Sequence, residues 1–193
     1  MHVSNTTPYA WPYDGALRPD RCALVICGSG PVWSERCPFD AAVEANIRRL
    51  RCTAADLGVL VVLVRHRQLP RAEIGSPEAT PPLAAEPGEI EVRAAGTDGF
   101  YGSPLDSELR FAGRDQLLFV GRGFECTVHS TLRRANDRGY ECLAVADACA
   151  SLDPNLLAAS ISTIEMSGGI FGAVGATDNV LNALAATQSE KSS

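Results

Sequence analysis

Short, unbroken runs of apolar residues recur along this chain, and longer amphipathic segments lie between them. An unbroken apolar run, unlike an alternating one, is typical of a strand buried on both faces of a parallel sheet. We therefore predict strands at residues 23–27, 59–64, 90–92, 117–120, 141–146 and 170–174.

The segments between these strands have helical periodicity and carry helix end signals. Gly58 and Gly139 stand where a left-handed residue would end a helix. Asp153 is placed as an N-cap, with Pro154 at the first helical position. The predicted helices are residues 39–57, 105–111, 126–138, a segment from 154 onward, and 177 to about 186.

Strands that alternate with helices need crossover connections, which are right-handed and place helices on both faces of the sheet. We expect one α/β domain over residues 21–187, a three-layer α/β/α sandwich with a six-stranded, mainly parallel sheet. Residues 1–20 are predicted to form an N-terminal arm, 66–89 a loop over one end of the sheet, and 188–193 a disordered tail.

The charge balance narrows the choice of partners. The 193 residues carry a formal net charge of −6, which has the wrong sign for binding nucleic acid or an anionic membrane surface. No apolar run approaches the length of a membrane span, and the first ten residues do not resemble a signal peptide. We therefore expect a cytoplasmic protein that binds neither nucleic acid nor membrane.

The cysteine and histidine pattern predicts neither a disulfide framework nor a metal centre. Seven cysteines occur without a C-x-x-C pair, and several lie in apolar runs, as reduced buried thiols do. The histidines, His2, His66 and His129, are not spaced as zinc ligands. We expect no metal and no cofactor.

Five segments of the chain match sequence motifs that occur together in one protein family. They are 9–15 (YAWPYDG), 99–105 (GFYGSPL), 128–142 (VHSTLRRANDRGYEC), 147–151 (DACAS) and 168–174 (GGIFGAV). Together they resemble the isochorismatase-like cysteine hydrolases, and within that family the biuret and ureidoacrylate amidohydrolases. The resemblance implies the family's α/β/α fold, hydrolysis of amide or ureide C–N bonds, and a homo-oligomer (dimer or tetramer) in which the arm crosses between subunits.

The resemblance also implies a catalytic triad, and all three of its positions are changed here. Such enzymes use an aspartate at the end of the first strand as the base, a lysine after the third strand, and a cysteine at a helix N-terminus as the nucleophile. The matching residues in this chain are Cys27, Ala94 and Thr127. Cys126 lies one position before the place of the nucleophile.

Two functions are compatible with these replacements. In the first, which we favour, the protein has lost the triad and binds a small amide, ureide or carboxylate, or serves as a non-catalytic member of an assembly, because triad members act as a unit. In the second, it is an active hydrolase of amide or ureide bonds with Cys126 or Cys27 as the nucleophile. Thr127 would need a base, which Cys27 does not supply, and is interpreted as a helix cap.

Ligand contacts are expected beyond the carboxyl ends of the strands, where open α/β sheets bind their ligands. The candidates are Arg93, Phe100, Phe124 and Glu125. Arg93 could replace the missing lysine, although neighbouring strand residues point to opposite faces. Glu125 could assist Cys126.

Three further side chains near the strand ends receive structural interpretations. Arg122 is expected in an exposed loop, His66 is expected to be solvated, and Trp33 is expected to pack in the protein or at a subunit contact.

Overall fold

A six-stranded sheet forms the centre of the computed structural model, which describes residues 3–6, 17–66 and 83–191. The strands are β1 (Cys22–Cys27), β2 (Leu60–His66), β3 (Ile90–Ala94), β4 (Gln116–Arg122), β5 (Glu141–Ala150) and β6 (Ala173–Gly175). Their order across the sheet is β3-β2-β1-β4-β5-β6, and every neighbouring pair is parallel. The predicted sheet is confirmed, and it is parallel throughout.

Helices cover both faces of the sheet. They are α1 (Pro31–Arg36), α2 (Ala41–Leu57), α3 (Leu105–Phe111), α4 (His129–Asp137), α5 (Pro154–Glu165) and α6 (Thr177–Lys191), with a π-helical turn at Phe124–Val128 directly before α4. Apolar residues of α2 and α6 pack on one face, and those of α3, α4 and α5 pack on the other. This arrangement is the predicted three-layer sandwich.

The unbroken apolar run of β1 is explained by its central position. All residues from Cys22 to Cys27 are buried, because the strand has paired neighbours on both sides and helices on both faces. Leu24 and Ile26 belong to the core beneath α2 and α6, whereas Val25 and Cys27 belong to the core beneath α3 and α4. Each fully buried aliphatic side chain of this kind stabilises the fold by about 1.5–3 kcal/mol.

The predicted helix end signals are confirmed. Gly58 ends α2 in the left-handed region with a φ of 68°, and Gly139 follows α4 with a φ of 85°. Asp153 caps α5 by accepting a hydrogen bond at 2.9 Å from a backbone N–H of the first turn, and Pro154 is the first helical residue. Asp40 caps α2 in the same way at 2.8 Å.

Several element ends differ from the prediction. The helix after β4 begins with a π-helical turn, β5 continues to Ala150, and α6 continues to Lys191. β6 is shorter than the predicted 170–174 and begins only after Gly172, whose φ of 95° lies outside the extended region that residues other than glycine adopt in strands. Most of the predicted arm (7–16) and most of the predicted loop (67–82) lie outside the described residues. Within the described ranges, no helix is long and apolar enough to cross a bilayer.

Candidate functional site

The carboxyl ends of β1 and β4 form the switch point of the sheet. The chain passes from β1 to β2 and β3 on one side, and then returns to β4 on the other side of β1. In open α/β sheets, connections that diverge in this way leave the space in which ligands bind. Cys27 ends β1 and is in register with Val64 on β2 and Gly121 on β4. The candidate site is therefore centred on Cys27.

Cys27 is a buried, neutral thiol. Its side chain is fully buried in the core beneath α3 and α4. Burial raises the pKa of this thiol to about 12, a hydrogen bond with Thr131 opposes the change, and the Asp98 carboxylate adds to it. The thiol is therefore protonated at neutral pH, which disfavours both a nucleophilic and a basic role.

Ala94 ends β3 and contributes no polar side-chain group. It is in register with His66 on β2 and is buried in the same core as Cys27. Arg93, the residue before it, is exposed, because successive strand residues point to opposite faces. The structure thus brings Ala94 and Cys27 to one face of the sheet and turns Arg93 to the other.

Thr127 lies in the π-helical turn, and its polar groups are bonded within the protein. Its hydroxyl donates to the Arg122 carbonyl, and its own carbonyl accepts from the Thr131 hydroxyl at 2.6 Å. The interpretation of Thr127 as a helix cap is wrong, because the hydroxyl donates to a carbonyl and does not accept from an N–H of the helix. Thr131 also accepts from the Gly99 N–H at 2.9 Å and contacts Cys27, so it links the segments that follow β1, β3 and β4.

Cys126 is half-buried in the π-helical turn. Burial raises the pKa of its thiol, the Glu125 carboxylate raises it further, and Arg36 lowers it. Its backbone N–H is already engaged, since it donates to the Gly123 carbonyl at 2.9 Å. One Glu125 oxygen accepts from the Asp153 N–H at 2.9 Å, and the other is buried with no partner in the described part of the chain.

Phe100 and Phe124 lie in the core that contains Cys27, and both are buried. The Phe100 ring centroid is 5.9 Å from that of Tyr140. The side chains that surround the predicted triad positions on this face are therefore largely apolar.

Trp33 of α1 and His66, the last residue of β2, form an aromatic contact at the same edge of the sheet. Both side chains are buried, and the ring centroids are 6.5 Å apart with the planes at 72°. The prediction that His66 is solvated is wrong. β2 extends two residues beyond the apolar run, so His66 is the last residue of the strand and its side chain is buried. Burial lowers the pKa of His66 to about 4, so the ring is neutral at pH 7.

Gly123 allows Trp33 to approach the strand ends. Its φ is 69°, and a Cβ at this position would lie 2.8 Å from the Trp33 ring and 3.2 Å from the Thr127 hydroxyl. Because such a contact would be too short for any other residue, only glycine fits here. Trp33 consequently packs between His66 and the π-helical turn.

Arg122 is a buried cation at the end of β4, and its expected place in an exposed loop is wrong. The residue is 2% exposed, because β4 continues through it. Its guanidinium carbon lies 3.7 Å from the centroid of the Phe39 ring, and Nη1 donates to the Gly28 carbonyl at 3.4 Å. Burial lowers the pKa of Arg122 to about 10, which leaves the side chain charged at neutral pH.

A cavity of about 250 Å³ lies against α2, where Phe39, Ile47 and Arg51 are among the residues that line it. None of the three residues predicted at the triad positions contributes to its walls. No group of three or more His, Cys, Asp or Glu side chains in the described residues is arranged to hold a metal ion.

Comparison with known proteins agrees with this architecture. The family model of the isochorismatase domain matches residues 22–178. The chain is 37% identical over 100 residues to ureidoacrylate amidohydrolase RutB of Methylobacterium radiotolerans, which is 51% of this chain and 39% of that protein. It is also 35% identical over 105 residues to ureidoacrylate amidohydrolase RutB of Stutzerimonas stutzeri. That match covers 54% of this chain and 41% of the relative. The matches thus span about two fifths of these relatives.

Solved structures share the fold at lower sequence identity. A cysteine hydrolase from Pseudomonas syringae pv. phaseolicola 1448A has a TM-score of 0.76 and 20% identity, with 95% of this chain and 98% of that chain covered. The nicotinamidase SaPncA from Staphylococcus aureus has a TM-score of 0.64 and 17% identity, with 81% and 99% covered.

Proposed function

Because this chain belongs to the isochorismatase family, we propose that it is a hydrolase homologue that binds a small amide, ureide or carboxylate without the family's Asp–Lys–Cys chemistry. One observation carries this proposal. The residues at the three triad positions, Cys27, Ala94 and Thr127, are all buried, and none provides an ionised group at neutral pH. Nucleophile, base and positive charge are therefore missing together.

The chemistry of amide cleavage explains why this combination matters. A nucleophile must lose its proton to attack the carbonyl carbon, and the leaving amine must receive one. Cys27 keeps its proton because burial raises its pKa, and the Thr127 hydroxyl is bonded to the Arg122 carbonyl. Members of a triad act as a unit, so the loss of all three supports a binding role.

A second candidate function rests on the half-buried thiol of Cys126 and the unpartnered oxygen of Glu125. Cys126 Sγ would attack the amide carbon, Glu125 would take the thiol proton and return it to the leaving amine, and water would hydrolyse the thioester. The raised pKa of Cys126 and its engaged N–H weigh against this reaction. The unpartnered carboxylate oxygen beside the thiol favours it.

An acylation assay separates the two candidates. The protein is incubated with a panel of amides and ureides, while released amine and the intact mass are followed. The binding role predicts no amine release and no added acyl mass. An adduct that disappears in Cys126→Ala, but persists in Cys52→Ala, would overturn it and establish the second function. Cys52 is the matched control because it is an exposed thiol on α2.

A homo-oligomer is part of the same proposal, and the surface of α5 supports it. From Pro154 to Ile164 the helix carries no charged residue, and only Ile164 is fully buried. Met166 and Ile170, just beyond the helix, are 80% and 70% exposed. An uncharged apolar face can meet its own copy without the like-charge repulsion expected elsewhere on a chain of net charge −6.

Light scattering tests the proposed homo-oligomer. It should show a dimer or tetramer, and Met166→Glu should weaken the association. A monomer at all concentrations would refute the proposed homo-oligomer.

A further inference from the structure

Two buried polar atoms lack a partner where β1 and β2 end. They are Ser29 Oγ and His66 Nε2, for which the described part of the structure supplies no hydrogen bond. Ser29 is 0% and His66 6% exposed, so bulk water does not solvate these side chains. A buried polar atom without a partner destabilises the protein by about 1–3 kcal/mol, and such atoms in native proteins usually have a bound partner.

The hydrogen bond at the other ring nitrogen fixes what His66 can accept. His66 Nδ1 lies 3.0 Å from the Gly96 carbonyl oxygen. A carbonyl oxygen only accepts, so Nδ1 must carry the proton and donate it. In the neutral ring Nε2 then holds a lone pair, and this pair can bind only a donor. Burial lowers the pKa of His66 to about 4, which keeps the ring in this neutral form.

The surroundings of these atoms are close to the triad positions. The Ser29 N–H donates to the Val64 carbonyl at 3.2 Å, which holds Ser29 beside the last residues of β2. Ala94 is in register with His66, and Trp33 meets the imidazole edge to face. We call Ser29, Trp33 and His66 the β2 corner. It offers a planar aromatic wall, one fixed acceptor and one hydroxyl.

We propose that the β2 corner binds a small neutral ligand through an N–H group that donates to His66 Nε2, with the Ser29 hydroxyl as a second hydrogen-bonding group. Amides, ureides and ring N–H compounds have such a donor. A carboxylate has only acceptors and would face the lone pair of His66 without a proton between them. This inference rests on the proposed binding function and narrows its ligand class, since it excludes carboxylates.

Nitrogen NMR of the imidazoles tests the inference directly. The chain has three histidines, so a sample labelled with 15N-histidine gives few resonances, and His66→Phe assigns that of His66. In the wild-type protein we expect a protonated Nδ1 and an unprotonated Nε2. Benzamide should shift the Nε2 resonance, and benzoate, its carboxylate isostere, should not. An Nε2–H form of His66, or an equal response to both probes, would overturn the proposal.

Variants then measure the contribution of each residue. His66→Phe and Ser29→Ala should each weaken benzamide binding about tenfold. His129→Phe is the matched control, because His129 also has a buried, unpartnered Nε2 but lies on α4. Unchanged affinity in both corner variants would contradict the proposal.

The same samples distinguish this inference from the proposed function. If benzamide binds at His66 and is also hydrolysed, the non-catalytic role fails while the β2 corner stands. If no amide is cleaved and none perturbs His66, the non-catalytic role stands while the β2 corner fails.

Discussion

The triad region, which we define as Cys27, Ala94, Thr127 and Thr131, differs from the β2 corner in how its polar atoms are satisfied. In the triad region the Thr127 and Thr131 hydroxyls are bonded to backbone groups. In the β2 corner, Ser29 Oγ and His66 Nε2 have no partner among the described residues. Bonded atoms contribute to the stability of the fold, whereas a buried unbonded atom needs an explanation such as a bound partner. The positions predicted for the triad and the site proposed for the ligand are thus neighbouring but distinct.

The largest effect is expected from Gly121→Ala, because Gly121 lies beside Cys27 of the triad region. Gly121 has a φ of 124°, and a Cβ there would lie 2.1 Å from the Cys27 carbonyl oxygen. Because backbone would have to move on both strands, we expect a loss of about 4 kcal/mol or more in the free energy of unfolding, measured by urea denaturation. Gly113→Ala is the control. Gly113 has a φ of 67°, but a Cβ added there would meet no other atom, so this variant should lose only about 1 kcal/mol in the free energy of unfolding. Similar losses of unfolding free energy in the two variants would contradict the close approach of β1 and β4 at Gly121.

The β2 corner predicts a dependence of stability on pH. His66 has a pKa of about 4 when folded and 6.5 as its ordinary value, so the unfolded chain takes up the proton first as the pH falls. The contribution of His66 is therefore complete above pH 6.5 and is lost between about pH 6.5 and 4. The difference between the two pKa values corresponds to about 3 kcal/mol.

Urea denaturation at pH 7 and pH 4.5 measures this dependence. In His66→Gln the difference in unfolding free energy between the two pH values should shrink. His129→Gln should reduce it less, because His129 is only half-buried. A pH dependence equal in wild type and His66→Gln would show that the imidazole is not buried in neutral form.

A smaller effect is expected from Thr131→Val. The change removes the hydroxyl that accepts from the Gly99 N–H and donates to the Thr127 carbonyl, while the size of the side chain is retained. It should lower the free energy of unfolding by about 2 kcal/mol, because a buried N–H loses its acceptor. In Thr163→Val, which removes a similar hydroxyl–carbonyl bond from an exposed helix position, the loss should stay within about 0.5 kcal/mol. A similar loss in both variants would mean that Thr131 does not bridge the strand ends.

The mildest test leaves the sequence unchanged and compares thiol reactivity. Iodoacetamide should label the exposed Cys52 fastest, the half-buried Cys126 more slowly and Cys27 slowest. Since the thiolate reacts, raising the pH from 7 to 9 should speed labelling of Cys126, whereas Cys27, with a pKa of about 12, should stay protected. Peptide mapping by mass spectrometry gives each rate. Faster labelling of Cys27 than of Cys126 would reverse our view of the triad region.

The sheet was predictable because its signals are local. The apolar run of β1 and the glycine after α2 each report on neighbouring residues, and both agree with the structure. The apolar pattern does not predict the burial of His66 and Arg122, because β2 and β4 continue past their apolar runs, where backbone pairing maintains the strand without an apolar side chain. The Thr131–Gly99 bond spans 32 positions, which no local pattern encodes.

The π-helical turn also determines how far the Cys126 thiol lies from the position predicted for a nucleophile. A π turn holds one residue more than an α turn, and such turns are frequent at functional sites. Deleting Thr127 would place Cys126 directly before Val128, in the position from which Thr127 now reaches the strand ends. Under the proposed function, the deletion of one codon would therefore bring a thiol to the position that the family resemblance assigns to the nucleophile, and the step from a binding protein towards a hydrolase site would be that small.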